Sequence, residues 1–233
     1  MALGIIKGNK HSFKDFNLTI AEKSIGNPKK NKIKETVPYM NGSYDFSLLY
    51  GEQTYEEREL SYTFNVIGHS KISLNILKIR ILEWLNEGSQ EPLYDDAIPG
   101  FYFLVECTGI DYDESFYNYA QLTVSFTAYP FKISTLQDGH DIWNEFNFEL
   151  DIVQNTKFNV IENESITLYN NSAVGVYPII ICDNNFEIIK NNITYRFVPG
   201  EMKSFDFKLD KGENNLLLKG NGTIEFKWFK EVL

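Results

Sequence analysis

Leu60, Tyr62, Phe64 and Val66 alternate with Ser61, Thr63 and Asn65. A period of two puts the four large apolar side chains on one face of a strand and the polar ones on the other, the pattern of an antiparallel sheet with one wet face. Phe101, Phe103, Val105 and Cys107 alternate in the same way, as do Leu122, Val124, Phe126 and Ala128, a run that closes at Tyr129-Pro130-Phe131. Between Ser70 and Glu87 the period changes. Leu74, Leu77, Ile81, Trp84 and Leu85 recur at helical spacing, with Ser70 placed as N-cap and Gly88 as the C′ residue. Ile72, Leu74 and Ile76 also alternate as a strand would, but the longer stripe favours a helix. Ile72, Ile76 and Ile79 form a second ridge on the opposite side, so the helix is expected to be buried on two sides. One helix among antiparallel strands makes the first part of the chain α+β.

The second part carries β signals alone. Phe146, Phe148, Leu150 and Ile152 alternate, Val176 to Cys182 is a continuous apolar run, and Phe205, Phe207, Leu209 and then Ile224, Phe226, Trp228 alternate again. Turn residues separate these runs at Asn170-Asn171, Asn191-Asn192, Asp210-Lys211-Gly212 and Asn221-Gly222. About nine short strands at close spacing indicate a β-sandwich. The polar, turn-rich stretch from Lys132 to Asp141 is the expected linker, giving two domains over residues 1–133 and 141–233. The expected fold class is therefore mainly β (α+β).

Length agrees with that division, because 233 residues fit one large β-fold or two linked units. With 43% hydrophobic and 15% aromatic residues the chain is too apolar to be disordered. Its 22 basic and 32 acidic residues give a net charge of −10, which argues against a protein that tracks a nucleic-acid backbone. The basic run Lys29-Lys30-Asn31-Lys32-Ile33-Lys34 lies between Pro28 and Pro38 without interleaved aromatics, and reads as a solvated loop or arm. No apolar run approaches the roughly 18 residues of a membrane span, and the first residues hold no stretch long enough for a signal peptide. Folding in a reducing cytoplasm is expected, in keeping with only two cysteines.

Candidate chemistry is sparse. His11, His69 and His140 each sit in a polar, turn-like context and read as surface residues. Asp138-Gly139-His140-Asp141 is the most ligand-like cluster, yet it lacks the alternate-position carboxylates of a calcium loop and suits a turn equally well. Asp111-Tyr112-Asp113-Glu114 reads as a solvated acidic hairpin. Cys107 and Cys182 lie on apolar strands with no neighbouring base, as inert buried thiols do. No nucleophile elbow, phosphate loop, dinucleotide fingerprint or zinc motif occurs, so no catalytic residue, metal or cofactor is expected. Tyr112, Phe116, Tyr117 and Tyr119 cluster in the loop before the strand Leu122–Ala128 and are candidates for contact with a protein partner or a sugar, or for folding back over the core.

Several segments, in order, resemble the siphophage distal tail proteins, the Dit family. They are His11-Ser12-Phe13-Lys14-Asp15-Phe16-Asn17-Leu18, Val37-Pro38-Tyr39-Met40-Asn41-Gly42-Ser43-Tyr44-Asp45-Phe46, and Gly51 to Leu60. Trp84-Leu85, Leu93-Tyr94-Asp95-Asp96-Ala97-Ile98-Pro99-Gly100-Phe101 and Val124 to Phe131 continue the series. Leu209 to Leu216 and Gly220-Asn221-Gly222-Thr223-Ile224 are similar to the end of the family's galectin-like domain. Tyr39 stands where the family's V-P-G-x-x-G turn has a glycine. The resemblance implies a structural, non-enzymatic virion protein at the tail tip, assembled in the host bacterial cytoplasm. It implies a homo-hexameric ring that joins the tail tube protein to the tail-associated lysin or baseplate hub and scaffolds host adsorption, with a receptor-binding protein as a further partner. The N-terminal domain would form the ring through an arm on the neighbouring subunit, here Ile25, Lys29, Lys30, Lys32, Ile33 and Lys34. The galectin-like β-sandwich would project outward, and its short loops leave no room for an inserted carbohydrate-binding module. A glycan-binding lectin-like module is the alternative from another class, and a wall hydrolase a third. DNA would pass the ring without sequence-specific contact, and six copies at −10 carry about −60, which suits a lumen that repels phosphates.

Overall fold

The structure is a computed structural model that describes residues 3–49, 51–140, 147 and 149–233, apart from the side chains of residues 115 and 116. The chain divides into two compact units, Met1–Lys132 with Leu233, and Ile133–Val232.

The first unit contains β1 (Ile5–Lys7), β2 (Lys10–His11), α1 (Ser12–Phe16), β3 (Thr19–Ile25), β4 (Lys34–Glu35), β5 (Tyr44–Asp45), β6 (Arg58–Ile67), α2 (Lys71–Asn86), β7 (Glu91–Asp95), β8 (Phe101–Phe116) and β9 (Tyr119–Ala128). Its antiparallel sheet runs β2-β1-β7-β8-β9-β6-β3, and β4 pairs only with β5. The alternation along β6 does what its period predicts: Leu60, Tyr62, Phe64 and Val66 are all buried, opposite Phe126, Val124, Leu122 and Ala120 of β9.

Ser70 caps α2 through a reciprocal pair, its hydroxyl accepting the Ser73 N–H while the Ser73 hydroxyl accepts the Ser70 N–H. Leu74, Ile81, Trp84 and Leu85 enter the core, where the Trp84 ring stacks on Phe16 at 4.9 Å. The helix ends before Gly88, whose φ of +77° is open to glycine and costly for other residues.

The expected second buried face of α2 is not there. Ile72, Ile76 and Ile79 are 75%, 56% and 57% exposed, because the first unit packs only one stripe of the helix against its sheet. A second correction is α1, a short helix unseen in the sequence. His11 caps it, with Nδ1 accepting the Phe13 and Lys14 N–H groups at 3.0 and 3.3 Å and Nε2 bonded to Asp96 Oδ2 at 3.0 Å. His11 is thus a buried structural residue and not a surface one.

The second unit contains β10 (Lys132–Gln137), β11 (Lys157–Asn170), β12 (Ile179–Cys182), β13 (Phe186–Lys190), β14 (Ile193–Phe197), β15 (Gly200–Lys203), β16 (Gly212–Lys227) and β17 (Phe229–Val232). β16 organises it, pairing with β11 along nearly its whole length and, on its other edge, with β13 and β12 in turn. β10 pairs with β17, so most of the stretch read as a linker is a strand whose backbone groups need a ladder. Of the strand expected around 146–152, Phe146 and Phe148 lie outside the described residues, and Glu149 to Ile152 form a turn and irregular chain. The run Phe205–Leu209 forms no ladder beyond the bridge Val176↔Leu209, although Phe207 and Leu209 are buried.

Candidate assembly interface

β3 and β6 form a hairpin whose connection, residues 26–57, extends away from the core as an arm. Its root is closed by backbone bonds: Gly26 N–H to Glu59 O at 2.8 Å, Glu56 N–H to Lys29 O at 2.8 Å, and Asn31 N–H to Thr54 O at 3.0 Å. Gly26 is required there, since a Cβ would sit 2.8 Å from the Glu59 carbonyl. Farther out, Lys34 and Glu35 pair with Asp45 and Tyr44, and the Phe46 N–H donates to Ile33 O at 2.8 Å. Lys32 Nζ lies 3.1 Å from Asp45 Oδ2, and Asp45 Oδ1 accepts the Ser47 N–H. The bonds to Ser47, then the Lys32 ammonium, hold the Asp45 carboxyl well below the usual carboxylate range.

Apolar residues crowd this arm without covering. Ile33, Val37, Tyr39, Tyr44, Phe46, Leu48 and Leu49 are all exposed, and none belongs to the core of the first unit. Tyr39 is fully bare and holds φ +66°, the left-handed conformation that glycine, the residue usual in the resembling turn, adopts freely. Exposed apolar patches on this scale mark interaction surfaces.

The sequence-derived interface residues divide. Lys29, Lys30, Lys32, Ile33 and Lys34 lie exposed on the arm. Ile25 instead ends β3 half-buried, packed against the core, because its partner Leu60 points inward. The aromatic cluster is not a loop. Tyr112 and Phe116 belong to β8 and Tyr119 to β9, leaving Tyr117 and Asn118 as the turn. Tyr112 packs against the core beneath Lys78, whose Nζ lies 4.4 Å from the ring centroid. The Tyr119 hydroxyl donates to Asn65 Oδ1 at 2.8 Å, Tyr117 is exposed, and the Phe116 side chain lies outside the described residues.

Sequence reading missed the outer ridge of α2 as a free surface. Its isoleucines at i, i+4 and i+7 share one face, flanked by exposed Lys71 and Arg80. It also missed the arm's apolar residues beyond Ile33. Their only signal was a density of aromatics in a segment without period, between Pro38 and Gly51.

No group of three His, Cys, Asp or Glu side chains among the described residues is placed to hold a metal ion. Asp138, from the ligand-like cluster, is buried and accepts from Gln154 Nε2 at 3.1 Å, while Asp141 lies outside the described residues. Burial pushes the thiols of Cys107 and Cys182 up, away from the reactive thiolate. Asp95 Oδ2 is a structural acceptor, taking bonds from Lys23 Nζ at 3.1 Å and the Tyr62 hydroxyl at 3.0 Å. Among the described residues no helix is long and apolar enough to cross a membrane.

Residues 6–128 match the family model described as the phage tail protein RIFT-related domain. Among solved structures, the chain is similar to SPP1 Dit (gp 19.1), described as a paradigm of hub adsorption apparatus in phages infecting Gram-positive bacteria. The TM-score is 0.69 at 12% identity, over 98% of this chain and 99% of that one. A chain of the phage p2 baseplate in its activated conformation gives a TM-score of 0.43 at 9% identity, over 98% and 96%. Comparison with curated protein sequences finds no match.

Proposed function

This chain belongs to the phage tail protein family defined by the RIFT-related domain, and from that premise we propose that it is a distal tail protein. In this reading six copies form a ring that joins the tail tube to the tail-tip hub and scaffolds the host-adsorption device. The role is architectural, without catalysis or cofactor. The observation that carries it is the arm: seven large apolar residues held out from the core by an ordered hairpin. A monomer has no use for such a segment, whereas a ring of head-to-tail contacts needs one surface on each copy that inserts into a different surface on the next. The likeness to SPP1 Dit, over nearly the whole of both chains, supports the same reading. Ring closure would place an acidic protein around the path of DNA.

The test is the mass and symmetry of the purified full-length protein, by light scattering and negative-stain microscopy. Sixfold rings are expected at high micromolar concentration, alone or with the tail tube protein added. A monomer in both conditions would overturn the proposal.

A further inference from the structure

Three ionisable side chains meet inside the second unit. Lys230 on β17 is almost wholly enclosed, and its Nζ donates to the Leu150 carbonyl at 2.6 Å and to Asp151 Oδ1. The other oxygen of that carboxyl, Oδ2, accepts the Asn147 N–H at 2.8 Å. Asp151 is therefore fixed with one oxygen on the amine and the other on a backbone donor. Asp138 is the third group, close enough for its charge to act on both. It directly follows β10, its N–H donating to the Trp228 carbonyl at 2.9 Å and its Oδ2 accepting from Gln154 Nε2 at 3.1 Å. Burial pushes its carboxyl up to about 6, so it holds a proton that an ordinary aspartate releases. Lys7 and Lys190 are buried too, but the acids that face them, Glu91 and Asp210, are 30% and 55% exposed, against 18% for Asp151.

We propose that Lys230 and Asp151 condense into an intramolecular isopeptide bond, Nζ to Cγ, with Asp138 carrying the proton. The Lys230 ammonium passes a proton to the Asp151 carboxylate, and the neutral amine attacks Cγ. Charge developing on Oδ2 is met by the Asn147 N–H. Asp138 gives its proton to the departing Oδ1 hydroxyl and takes one back from the nitrogen. The Nζ–Cγ bond forms and the Cγ–Oδ1 bond breaks. One ammonium and one carboxylate become one amide and one water, with no change in oxidation state. Two features favour the reaction. The partners are already in contact, so no encounter is needed, and a buried ion pair that is costly to desolvate gives way to a neutral amide. The freshly folded chain carries the ion pair, and the amide accumulates from it. Residues 151 and 230 are 79 positions apart, so the bond closes a loop around β11 to β16 and staples the last strand to the rest of the unit. The inference stands on the second unit alone and does not need the ring reading.

The test is the intact mass of the full-length chain, denatured and reduced, directly after folding and after days at about pH 6. The bonded chain is expected to weigh about 18 Da less than its sequence, the mass of one water. Protease digestion and tandem mass spectrometry should then give a branched peptide that joins Lys230 to Asp151. Lys230→Arg keeps the cation, cannot form this amide and should keep its full mass. Asp138→Asn keeps an oxygen for Gln154 but has no acid proton, and should form the bond about a hundredfold more slowly. Cooperative urea unfolding of each variant is the control for folding. Full sequence mass in the unsubstituted chain at the end of the incubation overturns the proposal. So does a loss of water that maps elsewhere, such as a cyclic imide at Asp138-Gly139. Equal rates with and without Asp138→Asn overturn the proton-carrying role of Asp138.

Discussion

The backbone N–H of Ile33 donates to the hydroxyl oxygen of Ser47 at 2.9 Å, tying one leg of the arm to the other. Ser47 is buried although its neighbours on both sides are exposed, and its own N–H donates to Asp45 Oδ1 at 2.9 Å. The arm therefore holds its shape through local polar bonds, while its apolar side chains face outward. Ser47→Ala deletes the bond at the centre of this arrangement. Because the arm adds nothing to the core, the unfolding free energy should change by less than about 0.5 kcal/mol in a urea titration. Self-association should weaken several-fold, since a looser arm loses more freedom on docking. Equal association of both proteins by sedimentation would show that the hairpin is not preorganised for contact.

Lys7 presents the opposite case, a charge inside the first unit. Its side chain is 1% exposed, and Nζ donates to the Glu87 carbonyl at 2.5 Å and to Glu91 Oε2 at 2.8 Å, so the ammonium closes the C-terminal end of α2. Its carbonyl accepts the Trp84 indole N–H at 2.9 Å. Glu91→Gln leaves a buried ammonium with neutral acceptors alone and no opposite charge, and should cost about 2 to 3 kcal/mol. Lys7→Met keeps the stem and removes the charge, and should cost less than about 1.5 kcal/mol. Urea unfolding of both variants gives the order, and Lys7→Met as the worse of the two would contradict this account.

These two features mark how far sequence periodicity reaches. The core face of β6 and the Leu74–Leu85 stripe of α2 were legible because their own unit buries them, and burial leaves a period of 2 or 3.6. The ridge Ile72–Ile76–Ile79 leaves the same kind of signal, but a period records that a face is apolar and not which surface covers it. Lys7 and His11 were hidden for another reason. Their partners Glu91 and Asp96 lie 84 and 85 residues away in sequence, so only the folded sheet brings them together. β11 escaped notice because its alternation is broken around Glu162, at φ +60°, and because polar Asn170 occupies one of its buried positions. The arm itself has no period, because its apolar residues answer to no surface of their own unit. Its basic root was visible as a run of lysines, whereas its apolar tip showed only as a density of aromatics between Pro38 and Gly51.

Arg58 tests the converse of the Lys7 pair. It is 2% exposed at the start of β6, its guanidinium 5.7 Å from the Phe103 ring centroid, and Nε and Nη2 have no hydrogen-bond partner among the described residues. Burial lowers its pKa, and burial followed by the Arg58 charge lowers that of Lys132. A buried cation without an acid is a cost to the fold. Arg58→Met keeps the length of the side chain and removes the charge, so the variant should be at least as stable as the unsubstituted chain, by up to about 2 kcal/mol. Thermal and urea unfolding measure it. A loss of more than about 1 kcal/mol would mean that the guanidinium is held by a group outside the described residues.

Asp138 gives the second unit a pH dependence whose sign runs against the usual carboxylate. Burial is the main cause that raises its pKa from the ordinary aspartate value to about 6, with Asp151 adding to the shift and Lys230 opposing it. The unfolded chain titrates this group near pH 3.9, so between about pH 4 and pH 6 the folded unit keeps a proton that the unfolded chain has released. Stability contributed by the neutral carboxyl is thus present at low pH and lost as pH rises through 6, by roughly 3 kcal/mol in full. Asp138→Asn keeps an oxygen to accept from Gln154 Nε2 and carries no charge at any pH. The variant should match the unsubstituted protein near pH 4.5 and exceed it by roughly 2 kcal/mol at pH 7.5, with the gap opening across the window. Urea midpoints followed through the second unit at pH 4.5, 6 and 7.5 provide the comparison. A gap that stays constant over that range would show that the Asp138 carboxyl is ionised throughout and that its burial is compensated by Lys230.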